Sequence, residues 1–135
     1  MPMEIDLVTR LTAAATLAGE GISWFERAGD PAATTVMMTP VSPGRDYTHD
    51  GPDGLDGPRV QFNYVGTDPD ALLTLRQQVR DAMEQVDPIA GETVGDTIFW
   101  PAEVVGSGAL PVEDLADQTR LFGLYDDMMF HHQAA

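Results

Sequence analysis

The chain contains no cysteine and no lysine. Lacking thiols, it has no disulfides, no thiolate metal ligands and no cysteine nucleophile. Lacking lysine, its seven basic side chains are all arginines, set against twenty-two acids, for a formal net charge of −15. Such a charge repels phosphate backbones and anionic lipid over the distances that salt leaves unscreened, which speaks against specific DNA or RNA binding. GC-rich coding and adaptation to high salt produce the same excess, so acidity alone assigns no role. Long apolar runs are also missing. A membrane span needs ~20 such residues, and the opening Met1-Pro2-Met3-Glu4-Ile5-Asp6 has neither the basic start nor the apolar core of a secretory signal. The expectation is a protein made and kept in the cytoplasm, or packed into something assembled there. No Gly-rich phosphate loop follows a strand, and none of Ser23, Ser42 and Ser107 sits in a Gly-x-Ser-x-Gly turn. No pair of carboxylates is framed by apolar residues that would raise one pKa. The expected protein is no enzyme and carries no cofactor.

At 135 residues and 43% hydrophobic content the chain is one domain, 1–135. Ile5, Val8, Leu11, Ala15 and Leu17, widened by Leu7 and Ala14, predict a short helix over Glu4–Leu17. Ile22–Arg27 and Thr34–Val41 read as a pair of strands, and 43–58, dense in Gly, Pro and Asp, as a long polar loop or a loose extension of the strands on either side. Arg59–Val65 alternates, with Val60, Phe62 and Tyr64 on one face and Arg59, Gln61 and Asn63 on the other: a strand with one buried and one wet or partner-facing side. Asp68 as N-cap, Pro69 in the first turn and Asp70 at the positive dipole end open the main helix. Its stripe is Leu72, Leu75, Val79, Ala82, Met83 and Val86; Gln77, Gln78, Arg80, Asp81 and Glu84 take the opposite side, and Pro88 closes it. Glu92–Val105 supplies at least one strand through Thr97–Trp100, broken by Pro101 and followed by Gly106-Ser107-Gly108, which reads as a flexible loop; Leu110-Pro111 opens an acidic connector. Trp24 and Trp100 read as core residues. Thr119–His132 alternates as a terminal strand with a frayed tail, Phe122, Leu124, Met128 and Phe130 sharing one face and Leu121, Tyr125 and Met129 the other. The sum is an α+β fold: a two-layer, mostly antiparallel β-sheet packed against one main α-helix plus the short N-terminal helix.

Two clusters invite a metal. His131-His132 lies beside Asp126-Asp127, but adjacent strand residues point to opposite faces. Asp127 and His131, on one face, stand ~13 Å apart at ~3.3 Å per residue. The four loop acids Asp46, Asp50, Asp53 and Asp56 have calcium-compatible chemistry without the spacing of an EF-hand. Both read more simply as polar surface.

Three pieces occur in order: Gly51-Pro52-Asp53-Gly54-Leu55, then Arg59-Val60-Gln61-Phe62-Asn63-Tyr64, then Leu72 and Leu75 leading to Val79-Arg80-Asp81-Ala82-Met83. This set resembles the phage tail-completion (tail terminator) family, which includes head-to-tail joining proteins and members in gene transfer agents. The resemblance spans about residues 45–86, and Thr119-Arg120-Leu121-Phe122 fits the family's closing strand. Ala33-Thr34-Thr35-Val36 departs from the expected Pro-aromatic-Val start, and the acidic connector Glu113-Asp114 to Asp117 is particular to this chain. The resemblance implies a virion component of the tail or neck, a homohexameric ring that caps the tail tube. Its partners would be copies of itself, the tail tube protein and the head–tail connector, with DNA passing through without specific binding and no membrane contact. The wet face of the Arg59 strand and the adjoining loop then supply the expected subunit or partner interface: Asp46, Tyr47, His49, Leu55, Arg59, Gln61 and Asn63. Asp46, Asp50, Asp53 and Asp56 are the expected channel lining. A head-closure ring or other neck connector is the neighbouring reading. From other classes come an acidic module binding calcium or a basic partner, and a small metal-dependent enzyme built on the terminal Asp and His residues.

Overall fold

The computed structural model describes residues 2–18, 21–26, 33–42, 45–48, 51–56, 58–115 and 119–134, with the backbone alone for Pro2, Ser42, 45–48 and 51–56. The elements run α1 (Pro2–Ala14), β1 (Ile22–Trp24), β2 (Thr35–Ser42), β3 (Arg45–Thr48), β4 (Gly51–Asp56), β5 (Arg59–Gly66), α2 (Pro69–Glu84), β6 (Glu92–Val94), β7 (Thr97–Phe99), β8 (Glu103–Asp114), β9 (Arg120–Met129) and β10 (His132–Ala134). The α+β class holds, but the described strands divide between two sheets. One has the order β1-β2-β5-β9-β8 and the other β3-β4-β10-β7-β6. All pairings are antiparallel except β1 with β2, where Ile22 lies beside Val36 and Trp24 beside Met38.

The two sheets are linked by chain continuity. β2 leads into β3, β4 into β5 and β9 into β10, and the order β2-β5-β9 in the first sheet reappears as β3-β4-β10 in the second. Three neighbouring strand paths thus pass together from one sheet to the other, the device by which sandwiches and barrels turn a corner. This changes the reading of 43–58. Glycine and proline density argued for a loop, yet the backbone of Arg45–Thr48 and Gly51–Asp56 forms an antiparallel hairpin. Its register slips between Arg45 and Tyr47, and Asp56 is its point of contact with β10, at His132. Pro52 stands opposite Tyr47 in the outer hairpin, and β4 meets β10 only at Asp56, so the proline sits at the margin of the sheet, where prolines are tolerated.

α2 packs on β5 and β9 of the first sheet, and α1 packs on α2, on the edge strand β1 and on β6, β7 and β10 of the second sheet. The α2 reading holds: Asp68 accepts from the Asp70 backbone N–H at 3.0 Å, and Leu72, Leu75, Val79 and Met83 are buried. The α1 phase differs. Leu7, Leu11, Ala15 and Ala18 face the core, whereas Ile5 and Leu17 are 65% and 43% exposed, and the helix ends at Ala14. The stripe that wins repeats at four, four and three residues. Polar fastenings fix α1 as well. Arg10, buried, donates through Nε to the Ala82 carbonyl at 3.1 Å and pairs with Glu92 at 2.5 Å. The Asp6 carboxylate accepts from the Asp96 N–H at 3.1 Å and from the Thr97 hydroxyl at 2.7 Å, bracing the β6–β7 turn. Gly95 in that turn takes φ +56, and a Cβ there would collide with Asp6.

The Gly106-Ser107-Gly108 stretch is the middle of the twelve-residue strand β8, not a flexible loop, and the supposed acidic connector is strand as far as Asp114; 116–118 lie outside the described residues. A Cβ on Gly108 would lie 2.8 Å from the Tyr125 ring, so glycine here makes room for a cross-strand aromatic. The tail is likewise ordered into β10, which pairs with β7 from His132 to Ala134.

Leu75, fully buried under the sheet, sets a test of the α2 phase. Leu75→Ala is expected to cost ~2–5 kcal/mol through lost burial and a residual cavity. Gln77→Ala, at an exposed site bonded only along its own helix to Asp81, should shift the melting temperature little. Equal melting of the two variants would contradict this packing.

Candidate interface

The geometry turns on two adjacent aspartates of β9. Strand alternation sends Asp126 to the helix-covered face and Asp127 to the opposite one. Each meets its own arginine. Asp126 is fully buried and accepts from Arg80 Nε at 2.9 Å, from Arg80 Nη2 at 2.6 Å and from the Tyr64 hydroxyl at 2.9 Å. Three donors on one carboxylate, two of them a guanidinium fork, are what a buried charge needs to offset its lost hydration. The hydrogen bond to Asp126 raises the Arg80 pKa above its ordinary value. Burial, followed by the Asp126 charge and hydrogen bond, pushes the Tyr64 phenol far above its usual range. Arg80 therefore does not belong with the solvent-side residues of α2, where its spacing had put it. A signal was present: Asp126 falls in phase with Phe122, Leu124 and Met128, so an acid stood on the inward side of an apolar strand and required a buried cation.

On the other face, Arg59 Nη2 donates to Asp127 Oδ2 at 3.1 Å across β5 and β9. Gln61 stands directly across from Asp127, Asn63 from Tyr125, and Thr39 of β2 from Gln61. This is the wet face expected from the alternation of Arg59–Val65, with Val60, Phe62 and Tyr64 buried behind it. It is not fully satisfied. Arg59 Nε, Asn63 Oδ1 and Asp127 Oδ1 are all buried without a hydrogen-bond partner. Each such atom costs ~1–3 kcal/mol if it stays unmatched.

The structure thus brings Arg59, Gln61 and Asn63 together on one surface. Of the other expected interface and channel residues, His49 and Asp50 lie outside the described residues. Asp46, Tyr47, Asp53, Leu55 and Asp56 are placed by backbone in the β3–β4 hairpin, and their side chains lie outside the description. The metal reading of Asp126-Asp127 with His131-His132 meets two acids already held by arginines on opposite faces, and the His132 ring lies 6.1 Å from that of Phe130. Among the described residues no group of three His, Asp or Glu side chains is placed to hold a metal, and no helix is long and apolar enough to cross a membrane.

No protein-family model matches the chain, and no curated protein matches it either. A solved structure does. The fold is shared with a chain from the virion of a native gene transfer agent (GTA) particle, at a TM-score of 0.62 and 12% identity. The likeness covers 98% of this chain and 95% of that one, so it includes both sheets and both helices rather than a common fragment.

The buried triad gives a test with a definite sign. Because the folded state holds the Tyr64 proton more tightly than the unfolded chain does, the stability from this group is fully present below pH ~10 and falls as pH rises above that. Tyr64→Phe should flatten the alkaline slope in denaturant titrations. Arg80→Met, which leaves the Asp126 charge buried without its fork, should cost ~3–5 kcal/mol, and Arg80→Met with Asp126→Leu less than the two singly summed. Additive losses would contradict the coupling.

Proposed function

We propose that this chain is a non-catalytic virion component, a tail terminator whose copies close into a ring, six in number, at the head-proximal end of a phage-like tail. The observation that carries the reading is the fold likeness, over nearly the whole of both chains, to a protein of a gene transfer agent virion. The ordered pieces around Gly51–Leu55, Arg59–Tyr64 and Val79–Met83 favour the terminator position within such a particle, beside the tail tube protein and the head connector.

The open face of the first sheet is the subunit contact in this reading. A closed ring requires a heterologous interface, in which one surface of each copy meets a different surface of the next. A neighbour seated over Arg59, Gln61, Asn63 and Asp127 would supply partners for the three orphan polar atoms, replacing a cost by hydrogen bonds. The acids Asp46, Asp50, Asp53 and Asp56 line the lumen in this reading. Duplex DNA carries about one negative charge per ~1.7 Å of axis, so acidic walls let it pass without adhering.

Two experiments test this. Arg59→Glu places a second negative charge against Asp127, and should leave the monomer folded while abolishing or weakening the ring in mass measurements and particle images. A compact two-fold dimer within tails would refute the ring. Replacing these four aspartates by asparagine should preserve assembly but slow DNA packaging or ejection, most strongly at low salt. Delivery at the normal rate across salt concentrations would remove the lumen role of the hairpin.

A further inference from the structure

A ring contact needs two different surfaces on every copy, and the open face of the first sheet supplies one of them. That face carries an apolar hollow at one end. Val65 of β5 stands across from Gly123 of β9, and Gly123 across from Leu110 of β8, two residues along from Asn63 and Tyr125 on the same side of the sheet. The β8 register slips just beyond, between Leu110 and Glu113. Such a slip bends a strand away from its partner, and here it opens a hollow of ≈470 Å³ walled by Val65, Leu110, Val112, Leu121 and Phe122. Val112 is 54% exposed on its wall, and Glu113 is the single charged residue lining it.

The far end of the molecule presents a tip suited to such a hollow. α2 starts just after β5 and runs sixteen residues, ~24 Å, before the turn at 87–91. Ile89 in that turn is 89% exposed, more than any other large hydrophobic side chain among the described residues. The turn is built to hold it there. Pro88 fixes one backbone angle, and the Asp87 carboxylate accepts from the Ile89 N–H at 2.9 Å and the Ala90 N–H at 3.2 Å. The Gly91 N–H donates to the Asp87 carbonyl at 2.9 Å. An apolar side chain on a turn already ordered loses little freedom on binding. Charge favours a second copy as the partner. Each copy carries −15, so copies approach most readily through surfaces poor in acids, and Pro88-Ile89-Ala90 has none where the hollow has only Glu113. We infer that the Ile89 turn of one copy seats in the open-face hollow of the next. This rests on the reading that copies meet through the open face, and it names what the neighbour brings to that face. Tip and hollow lie beyond opposite ends of α2, so no chain fills its own hollow, and each copy uses both in a head-to-tail contact.

The test uses the full chain in assembled particles, where Ile89→Cys combined with Val112→Cys supplies the chain's only two thiols. Mild oxidation should link position 89 of one copy to position 112 of the next and give a ladder of covalent oligomers on a denaturing gel. A bond within one chain is barred, because a disulfide needs Cα atoms closer than about 7 Å and these sites flank the ~24 Å of α2. Gln77→Cys combined with Val112→Cys, with its first thiol on the exposed side of α2, should stay monomeric. Should the first pair fail to enter particles, Ala90→Cys replaces Ile89→Cys on the same turn. Ile89→Ser, at an exposed site, should keep the wild-type melting temperature and lower incorporation in competition with the wild-type chain about tenfold, the loss of one apolar anchor. A ladder that ends at two copies would uphold the contact and refute the ring. Rings in particle images without a ladder from position 89 or 90, or an Ile89→Ser chain that incorporates as well as wild type, would overturn the inference and leave the ring reading standing. Particles with neither rings nor a ladder would overturn both.

Discussion

A charged carboxylate with no access to water sits at the centre of this fold, and the position of everything around it follows from how that charge is matched. Asp126 projects from the middle of the sheet into the helix layer, and three donors converge on it from two elements. Because the Arg80 fork is planar and the carboxylate is fixed on its strand, α2 has little freedom to rotate or slide. That one rotation places Leu72, Leu75, Val79 and Met83 on β5 and β9 and leaves the outer strand β8 without a helix above it. An apolar pair of the same size could stabilise the core as well, so the charge is better understood as fixing the helix in one register.

Its neighbour extends the same logic outward. Asp127, one residue on, takes Arg59 on the far side of the sheet, so one dipeptide anchors both faces. Inside, every polar atom of the carboxylate is met; outside, three polar atoms are buried and unmatched. Among the described residues, Arg10, Arg59, Arg80 and Arg120 are already held in pairs with acids of the same chain. Of the five buried polar atoms without a hydrogen-bond partner among the described residues, these three gather on one face, while the other two, Arg10 Nη1 and Gln78 Oε1, belong to the helices. Orphan polar groups of this kind are common where a partner is absent and rare inside a finished core.

Much of this was legible in the residues, and the failures have definite causes. β5 was plain because one wet face and one buried face give a clean two-residue period, and α2 because cap, first-turn proline and stripe all agree. β8 was missed because Gly106 and Gly108 look like breakers; at Gly108 the reason lies across the strand, in the Tyr125 ring over it, whereas a Cβ on Gly106 would meet Asp127 only at ordinary contact distance. The hairpin over 45–56 was missed because glycine, proline and aspartate weaken local strand propensity, whereas its pairing comes from long strand paths continuing through a corner. Ile5 and Leu17 were assigned to the buried side of α1 because hydrophobicity cannot separate two stripes a third of a turn apart. Arg10 and Asp6 settle the choice through contacts with residues more than seventy positions away. That Arg59, Gln61 and Asn63 share one face was accessible from alternation alone, while the Asp127 side of that surface was obscured by its resemblance to a metal cluster.

The absence of cysteine makes the open face directly measurable. A single Gln61→Cys substitution puts one thiol at the centre of that face, opposite Asp127, and Gln77→Cys puts one on the exposed side of α2 as a control. The rate of maleimide modification would be compared between the free protein and the protein in assembled particles. The account predicts that assembly slows labelling at position 61 strongly. Labelling at position 61 that proceeds equally fast in both states, with position 77 unchanged, would contradict it.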